Sequence, residues 1–263
     1  MQIELLQQVY KGVLLPSISL QTHQDKTRTC LNNILTDRMQ FTLSICFLAI
    51  AVVSSLALPA PNNNQTVAKL LTAATALDRL DILSSNTDFV FDFFNPPTAA
   101  ISASTPNGHT VQAKRDTFPA LVDSGVAMTV GFLGPCGLNT PHTHPRAAEF
   151  NIAINGTLRT GMLEENGARF VTNTLSPGQS TLFPRGAIHF EQNLGCKTVM
   201  FVAAFSDEDP GVSQVTNLLS LPIDIVEAVL GASETEVEQL MAGLPKNIAL
   251  GVDECLRQCG IKQ

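Results

Sequence analysis

The chain has 263 residues, of which 44% are hydrophobic and 15% charged, and its formal net charge is −7. This composition supplies a sizeable core for one domain with appendages and argues against long disordered regions. Because no block of Lys and Arg is present to contact a phosphate backbone, a nucleic-acid partner is not expected. Six cysteines are too few for a disulfide-dominated fold but sufficient for a few bridges in an oxidising compartment.

The first 57 residues differ in pattern from a folded domain. Residues 1–38 are mixed in character, whereas Met39 opens a segment with an apolar run at 43–53 that is followed by small residues. The run is shorter than the about 20 apolar residues of a membrane-spanning helix, which favours a cleaved secretory signal at 39–57 over a membrane anchor. A signal normally begins a chain, so we hypothesise that Met39 is the true start and that 1–38 is a mis-annotated, non-native extension. The mature form is then expected to have no membrane span.

Secretion would make two Asn-x-Thr sequons candidates for glycosylation. Asn64 lies in a polar stretch just after the expected signal and is the favoured one. Asn155 is followed by Gly156, and this dipeptide is also typical of a tight turn.

Residues 58–110 are predicted to form an N-terminal helix and an extended arm. Apolar residues at helical spacing place the helix at 67–83, with Thr66 as a candidate cap. The segment 88–94 is aromatic and extended in character, and 98–109 is expected to be a polar loop.

Residues 111–210 contain short β-like runs separated by turns rich in Gly, Pro and Asn. The strands are predicted at 126–133, 149–154, 157–163, 169–175, 181–183, 188–190 and 198–205. Such a series, at roughly ten-residue spacing, predicts an all-β sandwich or barrel. Residues 211–263 are predicted to form a helical tail, with helices at 221–230, from the Ser233/Glu236 capping box to Met241, and at 253–259.

Three of the five histidines, together with one glutamate, are candidate ligands of a divalent metal. His142 and His144 alternate, so a strand or its edge presents both on one face. Glu149 lies at an odd offset of five residues from His144, which requires a bend that Pro145 favours. His189 must arrive on a separate strand. Three histidines placed in this way favour a ligand cluster over histidines satisfied separately in a core or at the surface, and the ligand types allow Mn, Fe, Zn, Ni or Cu.

The spacing of residues around the first pair resembles the first motif of the cupin family. The run consists of His142-x-His144, Glu149 after four residues and Gly156 after six more. The segment 136–147 is similar in particular to germin-like proteins. One departure is that Cys136 stands where germins usually have the first of two glycines, which stiffens the loop or ties it down.

A second motif of the same family is matched at every fixed position. These positions are Gly178, Pro184, Gly186, His189 and Asn193. Residues 88–260 therefore resemble the secreted, spherulin-like germins of fungi and slime moulds. The resemblance implies a single cupin barrel, a double-stranded β-helix or jelly roll, at 111–210.

By this resemblance, manganese is bound at His142, His144, Glu149 and His189. Asn139 stands where germin-type oxalate oxidases have a pocket amide. It could hydrogen-bond an anionic substrate, or it could only shape the loop as a turn residue.

The resemblance also suggests how the cysteines pair. In a cupin barrel the loops of Cys136 and Cys196 lie close, so we expect a disulfide between them. Cys255 and Cys259 are then expected to pair with each other, although a four-residue separation on a regular helix is tight for a bridge. The remaining two cysteines precede the expected mature start.

Two classes of function follow from the resemblance. The first is a secreted manganese oxidoreductase, an oxalate oxidase or a superoxide dismutase. Three neutral imidazoles and one carboxylate leave a divalent ion with a local charge of roughly +1, which favours small anions such as oxalate or superoxide. The second is a non-enzymatic extracellular or cell-wall protein of stress or encystment, with a structural metal. A homo-oligomer is expected in either case; a cupin dioxygenase or isomerase stays open, whereas the absence of a second motif pair argues against a two-domain oxalate decarboxylase.

Overall fold

The computed structural model describes residues 63–262. The expected extension at 1–38 and signal at 39–57 lie outside the described residues. Within 63–262, none of the helices combines the length and the apolar character needed to cross a membrane.

The centre of the fold is a barrel made of two antiparallel sheets. In chain order the strands are β1 (Ile101–Thr105), β2 (Gly108–Ala113), β3 (Ala127–Leu133), β4 (Gly137–Thr143), β5 (Glu149–Ala153), β6 (Leu158–Leu163), β7 (Val171–Leu175), β8 (Ser180–Phe183), β9 (Ile188–Asn193), β10 (Val199–Phe205), β11 (Ser213–Gln214) and β12 (Ala249–Leu250). One sheet has the order β1-β2-β3-β10-β5-β8, and the other has the order β11-β4-β9-β6-β7, with β12 added alongside β4. The prediction of an all-β barrel with helical ends is confirmed.

Every second side chain of a strand points between the two sheets, and these side chains fill the space there. Leu133, Ala153 and Leu158 are fully buried there, and Phe201 and Phe205 join them from β10. All seven predicted strands are present, within one to three residues at either end.

The first sheet begins at β1, ahead of residue 111, where we expected the barrel to start. The prediction of a loop at 98–109 is wrong, because β1, the turn after it and the start of β2 lie there and form a hairpin. Its turn places Gly108 at φ 142°, and a Cβ there would lie 2.2 Å from the carbonyl oxygen of Phe132. Glycine is therefore required for β2 to approach β3 this closely. His109, the next residue, stacks on the Phe132 ring at 4.8 Å between centroids.

The N-terminal segment contains two helices where one was predicted at 67–83. They are α1 (Asn63–Thr72) and α2 (Ala76–Ile82). The break occurs because Thr75 has an extended backbone and forms a capping box with Asp78, which starts a new helix. The segment expected to be extended at 88–94 begins as a short 3-10 helix, Asn86–Phe89.

The C-terminal helices agree with their predicted positions. They are α3 (Ile223–Leu230), α4 (Glu234–Gly243) and α5 (Asp253–Cys259). Gly231 ends α3 in the left-handed conformation at φ 63°, and Ser233 forms the expected capping box with Glu236.

Both expected disulfide pairings are wrong, although all four cysteines are bridged. Cys136 is bonded to Cys255 and Cys196 to Cys259. The Cys136 loop does lie beside the Cys196 loop, since the Cys136 N–H donates to the carbonyl of Gly195 at 3.1 Å. However, β12 pairs with β4 and delivers α5 onto both loops, so the two cysteines of that helix, one turn apart, each reach a different loop.

Candidate metal centre

The two sheets bring the four predicted ligands to one place inside the barrel. His142 on β4 and His189 on β9 are directly paired across neighbouring strands. His144 follows the end of β4, and Glu149 begins β5 in the opposite sheet. The bend required by the odd offset of Glu149 is therefore a crossover from one sheet to the other. All four side chains are buried, with exposed fractions of 7% or less.

The potential ligand atoms of these residues converge. One atom from each residue lies within 4.8 Å of the others. Oε2 of Glu149 is 3.1 Å from Nε2 of His144 and 3.2 Å from Nε2 of His189. Two atoms that each lie about 2.1 Å from one ion, at right angles to each other, are about 3.0 Å apart. The spacing therefore fits a shared metal ion.

The outer nitrogen of each imidazole faces a backbone carbonyl. The pairs are His142 Nδ1 with Thr140 O at 2.9 Å, His144 Nδ1 with Gly211 O at 2.5 Å, and His189 Nδ1 with Ala187 O at 2.8 Å. A carbonyl oxygen only accepts, so each Nδ1 carries the proton and each inward Nε2 presents a lone pair. Such second hydrogen bonds are the usual way in which proteins fix the tautomer and orientation of histidine ligands.

The charges of the cluster follow from its burial. Burial, and then the neighbouring His189 and His144, lower the pKa of His142 to about 3, so this imidazole is neutral. Burial alone would raise the pKa of Glu149, but the neighbouring imidazoles of His144 and His189 outweigh it and hold that pKa well below its usual range. An ionised carboxylate beside inward nitrogen lone pairs is repulsive unless a cation lies between them, which is the condition that a metal site satisfies.

A second buried carboxyl group, Glu191, was missed in the sequence. Its side chain is fully buried on β9 and accepts hydrogen bonds from Asn139 at 2.9 Å and from Asn151 at 3.1 Å. Burial first, and then the charge of Glu149, raise the pKa of Glu191 well above its usual range. The available signal was its position two residues beyond His189, which on a strand means the same face.

Asn139 lies beside Glu191, and its side-chain amide is hydrogen-bonded to other protein side chains. It is 8% exposed. Its Nδ2 donates to Glu191, and its Oδ1 accepts a hydrogen bond from Nδ2 of Asn247 at 2.8 Å. Both ends of the amide are therefore held by protein groups. Nδ2 carries two N–H groups, and the bond with Glu191 uses one of them.

A cavity of about 250 Å³ adjoins the cluster and is lined by Asn139, His142, His144 and Glu149 among others. The remaining polar lining is uncharged and consists of Ser102, Thr110, Gln112, Thr129, Gln214 and Asn247. No Lys or Arg is among the lining residues in the part of the chain that the structure describes.

The comparisons with known proteins agree with this architecture. The sequence profile of the cupin family matches residues 92–238. The chain belongs to the cupin family. Within it, the chain is 45% identical over 198 residues to Spherulin-1A of Physarum polycephalum, covering 74% of this chain and 79% of that protein. It is 31% identical over 216 residues to a putative germin-like protein 3-2 of Oryza sativa subsp. japonica, covering 78% and 96%.

Among solved structures, this cupin is similar to recombinant oxalate oxidase in complex with glycolate. The TM-score is 0.52 at 27% sequence identity, and the match covers 60% of this chain and 84% of the other. The germin-like, spherulin-like resemblance is therefore confirmed, together with the fold.

The two predicted glycosylation positions are at the surface. Asn64 lies in the first turn of α1 and is exposed. Asn155 is exposed on the crossover between β5 and β6, which belong to different sheets, so its turn is not a hairpin. Oδ1 of Asn155 accepts the N–H of Met200 at 2.7 Å, and its modification stays a prediction.

Proposed function

We propose that this cupin holds one divalent metal ion through His142, His144, Glu149 and His189 and binds a small anion beside it. The observation that carries the proposal is the orientation of the imidazoles. Each Nδ1 is fixed by a backbone carbonyl. The Nε2 atoms of His144 and His189 lie 3.1 and 3.2 Å from Oε2 of Glu149, and one ligand atom of His142 lies within 4.8 Å of those of the other three residues. We propose Mn²⁺ as the ion, and the ligand types also suit Fe, Zn, Ni or Cu.

Bound Mn²⁺ would supply Lewis-acid and one-electron redox chemistry. The protein groups around it have separate tasks. The carbonyls hold the histidines in the ligating tautomer, and burial of the four side chains limits their exposure to bulk water. Asn139 has an N–H beside the cavity that can donate to an anion.

The lining of the cavity supports a small anion as the ligand. Because no cationic side chain of residues 63–262 lines it, the positive charge available to an anion would come from the ion, whose excess over Glu149 is roughly +1. A volume of about 250 Å³ suits a ligand of oxalate or superoxide size rather than a polymer. We therefore propose an oxidoreductase of the oxalate oxidase or superoxide dismutase type.

A non-enzymatic role is the second candidate, in which the metal is structural and the protein is an extracellular or cell-wall component. The identity to the oxalate oxidase structure is 27%, lower than the 45% identity to Spherulin-1A, so relatedness does not by itself assign the oxidase reaction to this chain. A shared fold does not transfer a reaction. A different cupin chemistry, such as a dioxygenase or isomerase reaction, would act on a substrate other than oxalate or superoxide.

We also propose that the protein is secreted and assembles with copies of itself. Two disulfides within 63–262 suit an oxidising compartment. The outer face of the first sheet exposes apolar side chains such as Phe150 and Leu182, which suits burial against a second copy.

The test begins with metal analysis of protein secreted by its native host. Bound manganese near one ion per chain is the expected result. Release of H₂O₂ from oxalate and removal of superoxide are then measured on metal-replete protein, with His144→Ala as the inactive control. Turnover of neither anion by metal-replete protein would leave the non-enzymatic role or a different cupin chemistry.

A further inference from the structure

The C-terminal tail contributes a side chain to the candidate metal centre. The segment 244–252, here called the strap, crosses the barrel between α4 and α5. Ile248 donates its N–H to Ala103 O at 3.2 Å, and its carbonyl accepts the Thr105 hydroxyl at 2.6 Å. Gly251 donates to the carbonyl of Cys136 at 2.7 Å. The strap is thus fixed to the barrel on both sides of β12.

Asn247 is the strap residue that bonds to β4 beside the cluster. Its Oδ1 accepts the backbone N–H of Thr140 at 2.8 Å and the Thr140 hydroxyl at 3.0 Å. Its Nδ2 donates to Oδ1 of Asn139 at 2.8 Å. Thr140 is also the residue whose carbonyl fixes Nδ1 of His142.

These bonds determine which way the Asn139 amide points. A backbone N–H can only donate, so the end of Asn247 that faces Thr140 must be its oxygen. Its amide nitrogen then faces Asn139, and only the oxygen of Asn139 can accept from it. The nitrogen of Asn139 is consequently directed toward Glu191.

We propose that Asn247 is a positioning residue that fixes the Asn139 amide with its donor end toward the interior. The inference rests on the proposed function for its consequence, which is that an anion beside the ion meets an N–H rather than an amide oxygen. Asn247 itself lines the same cavity. The disulfides of α5 keep the strap in place, so a tail far from the two sequence motifs completes the site.

The test compares Asn247→Asp and Asn247→Leu with Thr105→Val in the full mature chain. Asp keeps the acceptor for Thr140 but has no N–H for Asn139. The side-chain amide of Asn139 is therefore expected to rotate so that its oxygen and nitrogen exchange places. Leu, at similar volume, removes the hydrogen bonds to both Thr140 and Asn139. Thr105→Val is the matched control, because it removes a strap hydrogen bond that does not reach β4.

Two readouts are used on variants whose circular dichroism and thermal unfolding show a folded protein. The first is the side-chain NH₂ resonance of Asn139 in metal-free protein, which is expected to shift in both Asn247 variants and not in the control. The second is the affinity of Mn²⁺-loaded protein for oxalate, followed by the Mn²⁺ electron paramagnetic resonance spectrum. We expect it to fall about tenfold in both Asn247 variants, the equivalent of one hydrogen bond, with Mn²⁺ affinity within about threefold of wild type.

Several results would overturn the inference. They are an unshifted Asn139 resonance, an unchanged oxalate affinity in Mn²⁺-loaded variants, or an equal loss of oxalate binding in Thr105→Val. If the wild-type protein binds no Mn²⁺, the proposed function fails, whereas the Asn139 resonance still decides whether Asn247 orients that amide.

Discussion

Asn151 donates a hydrogen bond from Nδ2 to Oε1 of Glu149 at 2.9 Å, from two residues further along the same face of β5. Oε1 is the carboxylate oxygen that does not approach the histidines, since Oε2 contacts His144 and His189. The amide also donates to Glu191 at 3.1 Å. Asn151 therefore fixes the rotation of the only carboxylate among the four candidate ligands.

Replacing Asn151 by Ala should weaken metal binding without removing a ligand. We expect Mn²⁺ affinity to fall about 10–100-fold, the range typical of residues that orient a metal ligand. Titration calorimetry on metal-free protein measures the change. Asn173→Ala, at an exposed position on β7, is the control and should bind as wild type; equal affinity in the two variants would contradict the role of Asn151.

The local spacing of the sequence was enough to predict which four candidate ligands converge. His142 and His144 are neighbours on one strand end, and His189 lies on a second strand that pairs with it, so period-two geometry brings them together. Glu191 obeys the same rule, but a single carboxyl group after a histidine has no distinguishing spacing. Its importance appears only when Asn139 and Asn151 are seen to converge on it.

The path of the tail, in contrast, could not be predicted. The helix α5 was predicted at its observed bounds, but its docking depends on β12 pairing with β4, and a two-residue strand has no pattern in the sequence. The disulfide partners of Cys255 and Cys259 and the contact of Asn247 with Asn139 all follow from that docking. The positions of short elements that contact distant parts of the chain are thus the part of this fold that could not be predicted from the sequence.

His189→Ala should abolish stoichiometric metal binding, whereas His109→Ala should not. His189 points into the cluster, while His109 stacks on Phe132 outside it. Because an ion that binds only the folded state stabilises it by about 2.7 kcal/mol at one hundred times its dissociation constant, chelation should lower the melting temperature of wild type by about 5–10 °C. Metal content and thermal unfolding with and without chelator are the measurements. A chelator-insensitive wild type, or a His189→Ala protein that keeps its metal, would contradict the assignment.

The disulfide pairing can be checked by mass spectrometry of peptides from unreduced protein. We expect peptides linking Cys136 to Cys255 and Cys196 to Cys259, and none linking the two cysteines of α5. In the chain-entropy account, removing the bridge whose cysteines are 119 residues apart should cost on the order of 5 kcal/mol of unfolding free energy. Cys136→Ala/Cys255→Ala measures that cost by denaturant unfolding, and Cys196→Ala/Cys259→Ala, with a separation of 63, should cost slightly less. Linked peptides of any other pairing would refute it.

The outer face of the first sheet should mediate self-association. Phe150 and Leu182 are direct partners across β5 and β8 and are 55% and 54% exposed, an arrangement that a second copy of this chain would bury. Phe150→Glu places a charge in that contact and is expected to convert the oligomer to monomer, as measured by light scattering after size-exclusion chromatography. Phe170→Glu is the matched control, because Phe170 is 53% exposed but precedes β7 in the other sheet. A wild-type monomer, or an oligomer that survives Phe150→Glu unchanged, would rule this face out; dissociation in both variants would show an effect of charge rather than of this surface.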